Sequence, residues 1–312
     1  MYYKDWLNEW LGSYVKIVAK SKTYERYEEI VRLQIAPCLG DCEIDAIDSV
    51  SLQHFVSRLS LVGNAKTGEG LSASSVNGVI TVLQTSLRAA QEAGVSKSYH
   101  GDKVKRPKMR AGRTECFTVS EQRAIEQYVV SSRRPRLYGV IICLYTGIRI
   151  GELLALKWSD IDFGNMMMFI DKTCHSGRDK DGRFTLITDA PKTESSRRAI
   201  PIPCRLTSML CDMRDGATSE HIIASSTGDR VAVRSYQRSF ERILSALGVR
   251  RRGFHSLRHT FATRALERGM DVRTLSEVLG HKNPSVTLDR YAHSLLEHKR
   301  EMMNRLGEIY KY

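Results

Sequence analysis

Apolar residues recur at helical spacing along almost the whole 312-residue chain, and the pattern breaks in only one stretch, residues 165–203. Such a chain is predicted to be mainly α, with strands confined to that stretch. Trp6, Leu7, Trp10, Leu11, Tyr14, Val15 and Val18 share one face of a first helix. A second is expected from about Thr23 to Ile35, stopping at Pro37, and a third follows Ser51. A fourth runs from near Ser72 to Gly94, with Val76, Ile80, Leu83 and Leu87 on one face. Residues 1–102 therefore read as a small helical bundle. Thr118-Val119-Ser120-Glu121 is a capping box that opens a new helical region reaching about Leu156. Residues 166–170, 183–187 and 197–202 read as three short strands between Gly- and Asp-rich turns, and helices resume from Arg205.

The charge balance points to a partner. Lys plus Arg is 48 and Asp plus Glu is 35, a net +13, and the pI is about 9.5. A pI above 9 is the footprint of a nucleic-acid binder, although charge alone leaves an inert basic surface open. Position narrows the choice. Lys103, Lys105, Arg106, Lys108, Arg110 and Arg113 surround Pro107, and Arg250, Arg251 and Arg252 form a second cluster. The first run lies between two apolar-periodic regions and reads as a linker over 103–113, ahead of a second domain over 114–312. Lys103, Lys105, Arg106 and Lys108 are its candidate phosphate-backbone contacts. The longest apolar run, Val140 to Tyr145, is far shorter than the roughly 20 residues of a membrane span. The N-terminus lacks a secretory layout, so a cytoplasmic location without membrane contact is expected. The seven cysteines are scattered, which favours reduced thiols. Cys38 and Cys42 have no second pair at metal-ligand spacing and read as a turn between helices.

Neither G-x-x-x-x-G-K-[ST] nor H-E-x-x-H is present, so a reaction without ATP, metal or other cofactor is expected. What stands out is a set of cationic and imidazole groups ahead of one tyrosine. Arg149 sits in Thr-Gly-Ile-Arg-Ile-Gly-Glu-Leu, and Lys192 in Pro-Lys-Thr-Glu on a turn between expected strands. His255, Arg258 and His259 form His-Ser-Leu-Arg-His; His281 ends Leu-Gly-His; Tyr291 sits in Asp-Arg-Tyr-Ala-His. Singly, each has an ordinary explanation. Arg149 can be half of an ion pair with Glu152, a lysine on a turn is usually solvated, paired histidines often cap or pack, and most tyrosines pack.

Together, their order and spacing resemble the tyrosine recombinases, the phage-integrase family, over essentially the whole chain. The resemblance is densest between His255 and His293. It implies that Arg149, Lys192, His255, Arg258, His281 and Tyr291 fill the active-site positions, with Tyr291 as nucleophile. Lys180 and Lys172 are nearby alternatives to Lys192. It further implies a helical core-site DNA-binding domain followed by a mainly α catalytic domain with a small antiparallel β-sheet. The substrates would be double-stranded DNA recombination sites, handled by a homotetramer through a Holliday junction. An accessory directionality factor would be a possible further partner, and an arm-binding domain is not seen. The segment around Tyr291 is closer in pattern to mobile-element integrases than to chromosome or plasmid dimer resolvases. A type IB topoisomerase and a non-catalytic DNA-binding protein are the competing readings. The Leu-Gly-His motif and the helical bundle argue against the first, and the complete residue set against the second.

Overall fold

The computed structural model describes residues 1–64, 67–109, 116–178, 184–189, 197–281, 300 and 303–308. The chain divides into two compact units, Met1–Gly112 and Arg113–Tyr312.

In the first unit, α1 (Tyr3–Glu9) continues through a π-helical stretch, Trp10–Val15, into Lys16–Val18. Helix α2 (Ser21–Ile30) likewise continues through Val31–Ile35 into Ala36–Leu39. The second helix therefore does not stop at Pro37. The π stretch restarts the α register, which puts the proline in the first turn of a new segment, where its missing N–H costs least. Helix α3 (Ser49–Val62) is capped by Asp48, which accepts from the Ser51 N–H at 2.8 Å. Helix α4 (Ala73–Glu92) buries Val76, Val79, Ile80, Val82, Leu83, Leu87 and Ala90 against the other helices. Two aromatic side chains of α1 find polar partners on it. The Tyr3 hydroxyl bonds that of Ser86, and Trp6 Nε1 donates to the Ser86 carbonyl at 2.9 Å.

The start of the basic run is not a free tether. Val104 is buried in the bundle core, and the Lys105 N–H donates to Gln53 Oε1 at 2.9 Å. Arg106 donates to the Asn77 carbonyl at 3.2 Å and to Gln84 Oε1 at 2.6 Å, and Asn77 Nδ2 donates to the Pro107 carbonyl at 3.2 Å. Residues 104–107 thus form a strap on α3 and α4. One apolar residue among cations supplies the burial, and side-chain amides satisfy the extended backbone.

In the second unit the expected capping box opens α5 (Val119–Ser131). The Glu121 N–H donates to Thr118 Oγ1 at 3.1 Å and the Thr118 N–H to Glu121 Oε2 at 2.8 Å. The helical region to Leu156 is broken twice. Arg133 takes a positive φ of 50° ahead of a 3-10 turn, and Gly147, at φ 67°, separates α6 (Gly139–Thr146) from α7 (Ile150–Ala155). Helix α6 contains the longest apolar run, and Val140 to Leu144 are all buried, as expected of a helix enclosed on every side.

Five strands follow: β1 (Ile161–Asp162), β2 (Met167–Ile170), β3 (Thr173–Arg178), β4 (Phe184–Asp189) and β5 (Arg198–Pro201). They form two antiparallel sheets rather than one. The first has the order β1-β2-β5 with Met168 opposite Ile200, and β3 and β4 form a separate ladder with Cys174 opposite Thr188. Strand β3 escapes a sequence pattern because Thr-Cys-His-Ser-Gly-Arg carries no apolar alternation. Helices α8 (Cys204–Asp215), α9 (Val233–Ala246), α10 (His255–Glu267) and α11 (Val272–Leu279) complete the unit. Phe240 joins Phe117 and Phe254 in edge-on contacts within the core. No helix among the described residues is long and apolar enough to cross a membrane.

Gly147 turns the chain between α6 and α7 at a left-handed φ, and a Cβ there would come within 2.5 Å of Phe261 and 2.7 Å of Leu279. Gly147→Ala is expected to cost roughly 2–4 kcal/mol, from the left-handed penalty plus overpacking. Urea unfolding of the full chain measures it, and a change below about 1 kcal/mol would contradict this account of the turn.

Candidate functional site

The site is built on the end of α11. Asp271 caps its start, accepting from the N–H groups of Arg273 and Thr274 at 2.9 Å each. Gly280, at φ 65°, ends it. The Gly280 N–H donates to the Glu277 carbonyl and the His281 N–H to the Ser276 carbonyl, both at 3.0 Å. This is a Schellman closure, and it leaves the next three carbonyls without a partner in the helix. Each accepts from a guanidinium. Arg198 Nε donates to Val278 at 2.6 Å, Arg258 Nη2 to Leu279 at 2.6 Å and Arg149 Nη2 to Gly280 at 3.5 Å. The negative end of the helix dipole favours the same three cations.

Arg149 is the N-cap residue of α7, two positions beyond Gly147. Its N–H donates to Glu152 Oε2 at 2.9 Å and its Nη1 to Glu152 Oε1 at 2.8 Å. Arg258, on α10, is 2 % exposed and donates through Nη1 to the Gly147 carbonyl at 2.8 Å. The turn that delivers Arg149 is therefore also an acceptor for Arg258. Arg258 Nη2 lies 2.9 Å from His281 Nε2. A guanidinium can only donate, so Nε2 accepts and the ring proton is assigned to Nδ1. Arg198 opens β5 and grips Glu152 with two prongs, Nη2 to Oε2 at 2.8 Å and Nη1 to Oε1 at 3.2 Å. Burial works to raise the Glu152 pKa. The bonds and charge of Arg198, with the charge of Arg149, overcome it and hold the carboxyl below its usual range. Exposure separates the two arginines: 6 % for the Arg198 side chain and 38 % for that of Arg149.

Of the residues expected from the sequence, Arg149, Arg258 and His281 are brought together. His255 is the first residue of α10, one turn before Arg258, and its ring meets that of His259 edge-on with centroids 4.5 Å apart. Lys192 and Tyr291 lie outside the described residues. Lys103, Lys105, Arg106 and Lys108 are exposed on the first unit. No three His, Cys, Asp or Glu side chains among the described residues group as metal ligands. Sequence reasoning had Glu152 only as an ion-pair partner for Arg149, which it is. It did not single out Arg198, although the signal was present. Strand alternation puts Arg198 on the same face as Ile200, which is 2 % exposed, and a cation on a buried face needs a buried carboxylate.

Glu152→Gln keeps the side-chain size and leaves Arg198 buried without its charge partner. A loss of about 3 kcal/mol in unfolding free energy is expected at neutral pH. Because the folded pKa of Glu152 is lowered, its contribution is fully present above the usual Glu range and is lost as pH falls through the lowered value. Unfolding curves across pH should therefore show a constant difference between the two proteins near neutrality that closes only in acid. A difference that closes near pH 7 would contradict the assignment.

Residues 119–298 match the phage integrase family model, and residues 2–60 match its N-terminal SAM-like domain. A tyrosine recombinase XerC-like protein of Caldanaerobacter subterraneus subsp. tengcongensis is 28% identical over 332 residues, 98% of this chain and 83% of that protein. The ICEBs1 integrase of Bacillus subtilis is 23% identical, over 94% of this chain and 80% of its own. Among solved structures, the Tn1549 transposon integrase in complex with transposon right end DNA superposes with a TM-score of 0.82 at 20% identity, covering 98% of this chain and 100% of that one. A lambda integrase tetramer bound to a Holliday junction gives 0.68 at 22% identity, covering 91% and 78%. The fold, the assembled cationic site and the matched family model together identify the chain as a member of the phage integrase family, the tyrosine recombinases.

Proposed function

We propose that the chain is a site-specific DNA recombinase that cuts and rejoins duplex DNA through a 3′-phosphotyrosine on Tyr291. The observation that carries this reading is the meeting of Arg149, Arg258 and His281 at one helix end, with part of the Arg149 side chain exposed. A phosphodiester in reaction spreads extra negative charge over its non-bridging oxygens, and preorganised guanidiniums match that charge with fixed, permanently charged donors. His255 and His281 add hydrogen bonds to the same oxygens. A tyrosine with a pKa near 10 is only about one part in a thousand ionised at pH 7, and nearby cations favour its phenolate. Its oxygen bonds to phosphorus, the bond to the 5′-oxygen breaks, and Lys192 supplies the proton that oxygen needs. The phosphotyrosine keeps the energy of the broken bond, so a new 5′-hydroxyl rejoins the strand without ATP. Lys103, Lys105, Arg106 and Lys108 are proposed to contact the phosphate backbone.

DNA-bound relatives of the same fold, including the lambda tetramer on a Holliday junction, support duplex DNA as substrate and four protomers as the working assembly. Similarity to the ICEBs1 integrase and to a transposase of Tn916 from Enterococcus faecalis supports integration and excision of a mobile element, with an accessory directionality factor as a further partner. The XerC-like relative, aligned over 98% of the chain, favours dimer resolution as the second reading. Integration, excision and resolution assays on paired plasmid sites separate the two.

Substrates for the chemical test are nicked suicide duplexes captured covalently by the protein from a random-sequence pool. Tyr291→Phe should bind them as tightly as the unaltered protein and give no slow-migrating adduct on a denaturing gel. A persistent adduct would assign the nucleophile to another residue. Lys192→Ala should cleave natural DNA poorly, by about 10²–10⁴-fold, the range typical of a lost general acid. It should cleave DNA with a 5′-bridging sulfur almost normally, because a thiolate leaves without a proton. If sulfur fails to restore cleavage, the acid lies elsewhere, with Lys172 and Lys180 next to test.

A further inference from the structure

We propose that Arg198 is a positioning residue for strand transfer: through the Glu152 carboxylate it fixes the guanidinium of Arg149 against the scissile phosphate, without touching DNA itself. The inference rests on the recombinase reading above.

The geometry assigns different work to the two arginines that share Glu152. Arg198 lies on β5 with its backbone in register opposite Ile170, so its Cα is held by the sheet. Its guanidinium is bound along two edges. Nη1 and Nη2 grip the two Glu152 oxygens, and Nε is bonded to the Val278 carbonyl. A planar group held on two edges cannot rotate, and a carboxylate held by both prongs is fixed in the same plane. Arg149 takes the remaining positions on that carboxylate, one with its side chain and one with its backbone N–H. Both the start of α7 and the direction of the Arg149 guanidinium are therefore referred to Arg198. With a side chain only 6 % exposed, Arg198 lies beneath the surface that Arg149 presents, at 38 %. A lysine in its place keeps the charge but has one ammonium point where the site uses a fork and a third donor.

The test compares cleavage of the captured suicide duplex with the same duplex carrying a neutral methylphosphonate at the scissile position. A neutral linkage places little demand on the guanidinium that neutralises a phosphate. Arg198→Lys and Arg198→Ala are expected to leave KM for DNA unchanged and to lower kcat on the natural linkage by about 10²-fold, the scale of a catalytic group misplaced by about 1 Å. On the methylphosphonate the loss should shrink to about tenfold or less, since the displaced charge matters less there. In an Arg149→Ala background, Arg198→Lys should cause no further loss on either linkage, because residues that act through one another are not additive. Equal losses on both linkages, an additive loss in that background or undiminished cleavage would each overturn the proposal. If Arg198→Ala does not fold, Arg198→Lys carries the comparison alone. A wild-type protein that captures no duplex would instead overturn the recombinase reading, and the inference with it.

Discussion

Three backbone carbonyls at the end of α11 organise the second unit. A helix end leaves its last carbonyls without partners, and burying them unpaired costs on the order of 1–3 kcal/mol each. Arg198, Arg258 and Arg149 take one apiece, from β5, α10 and the start of α7. The dependence is mutual. Guanidiniums at low exposure are tolerated only where fixed acceptors replace water, and the helix end supplies those acceptors together with the favourable pole of its dipole. The Leu-Gly-His sequence thus has a structural task as well as a chemical one: its glycine closes the helix so that the carbonyls face the arginines and His281 follows beside Arg258.

Arg258 shows what this arrangement does for reactivity. It is 2 % exposed and engages two main-chain carbonyls and an imidazole. Water has been removed from it, and its orientation chosen, in the course of folding. A substrate phosphate that meets such a group finds the solvent reorganisation already complete, which is the usual origin of large electrostatic rate effects. Glu152 and Arg198 extend the same logic one layer deeper, where no substrate reaches.

Where folding is governed by one-dimensional periodicity, the sequence was readable. Helices α3 and α4, the capping box at Thr118 and the enclosed α6 follow from spacing and caps alone. Readability failed where a neighbour decides. Helix α2 runs on past Pro37 because a π stretch resets its register. The strand Thr173–Arg178 is defined by pairing with β4 and carries no apolar signal of its own. Residues 104–107 look like a tether because cations dominate them, yet one buried valine and three side-chain amides dock them. The site divides in the same way. Arg149, Arg258 and His281 were legible through family motifs, since the chemistry demands those types at those places. Arg198 was hidden because its meaning depends on which face of β5 is buried, and pleat register is set by the sheet.

The separation in sequence between the groups that meet at α11 bears on synthesis. Arg149 finds its acceptor 131 residues downstream, and Arg258 reaches back 111 residues to Gly147. Contacts that close loops of this length form after local helices, and a chain made from its N-terminus folds domain by domain as it emerges. A nascent polypeptide that has released the first bundle and Arg149 still lacks the helix end that fixes the cations. The reacting centre is therefore assembled only when Gly280 has left the ribosome, so incomplete products carry the arginines without the means to aim them at DNA.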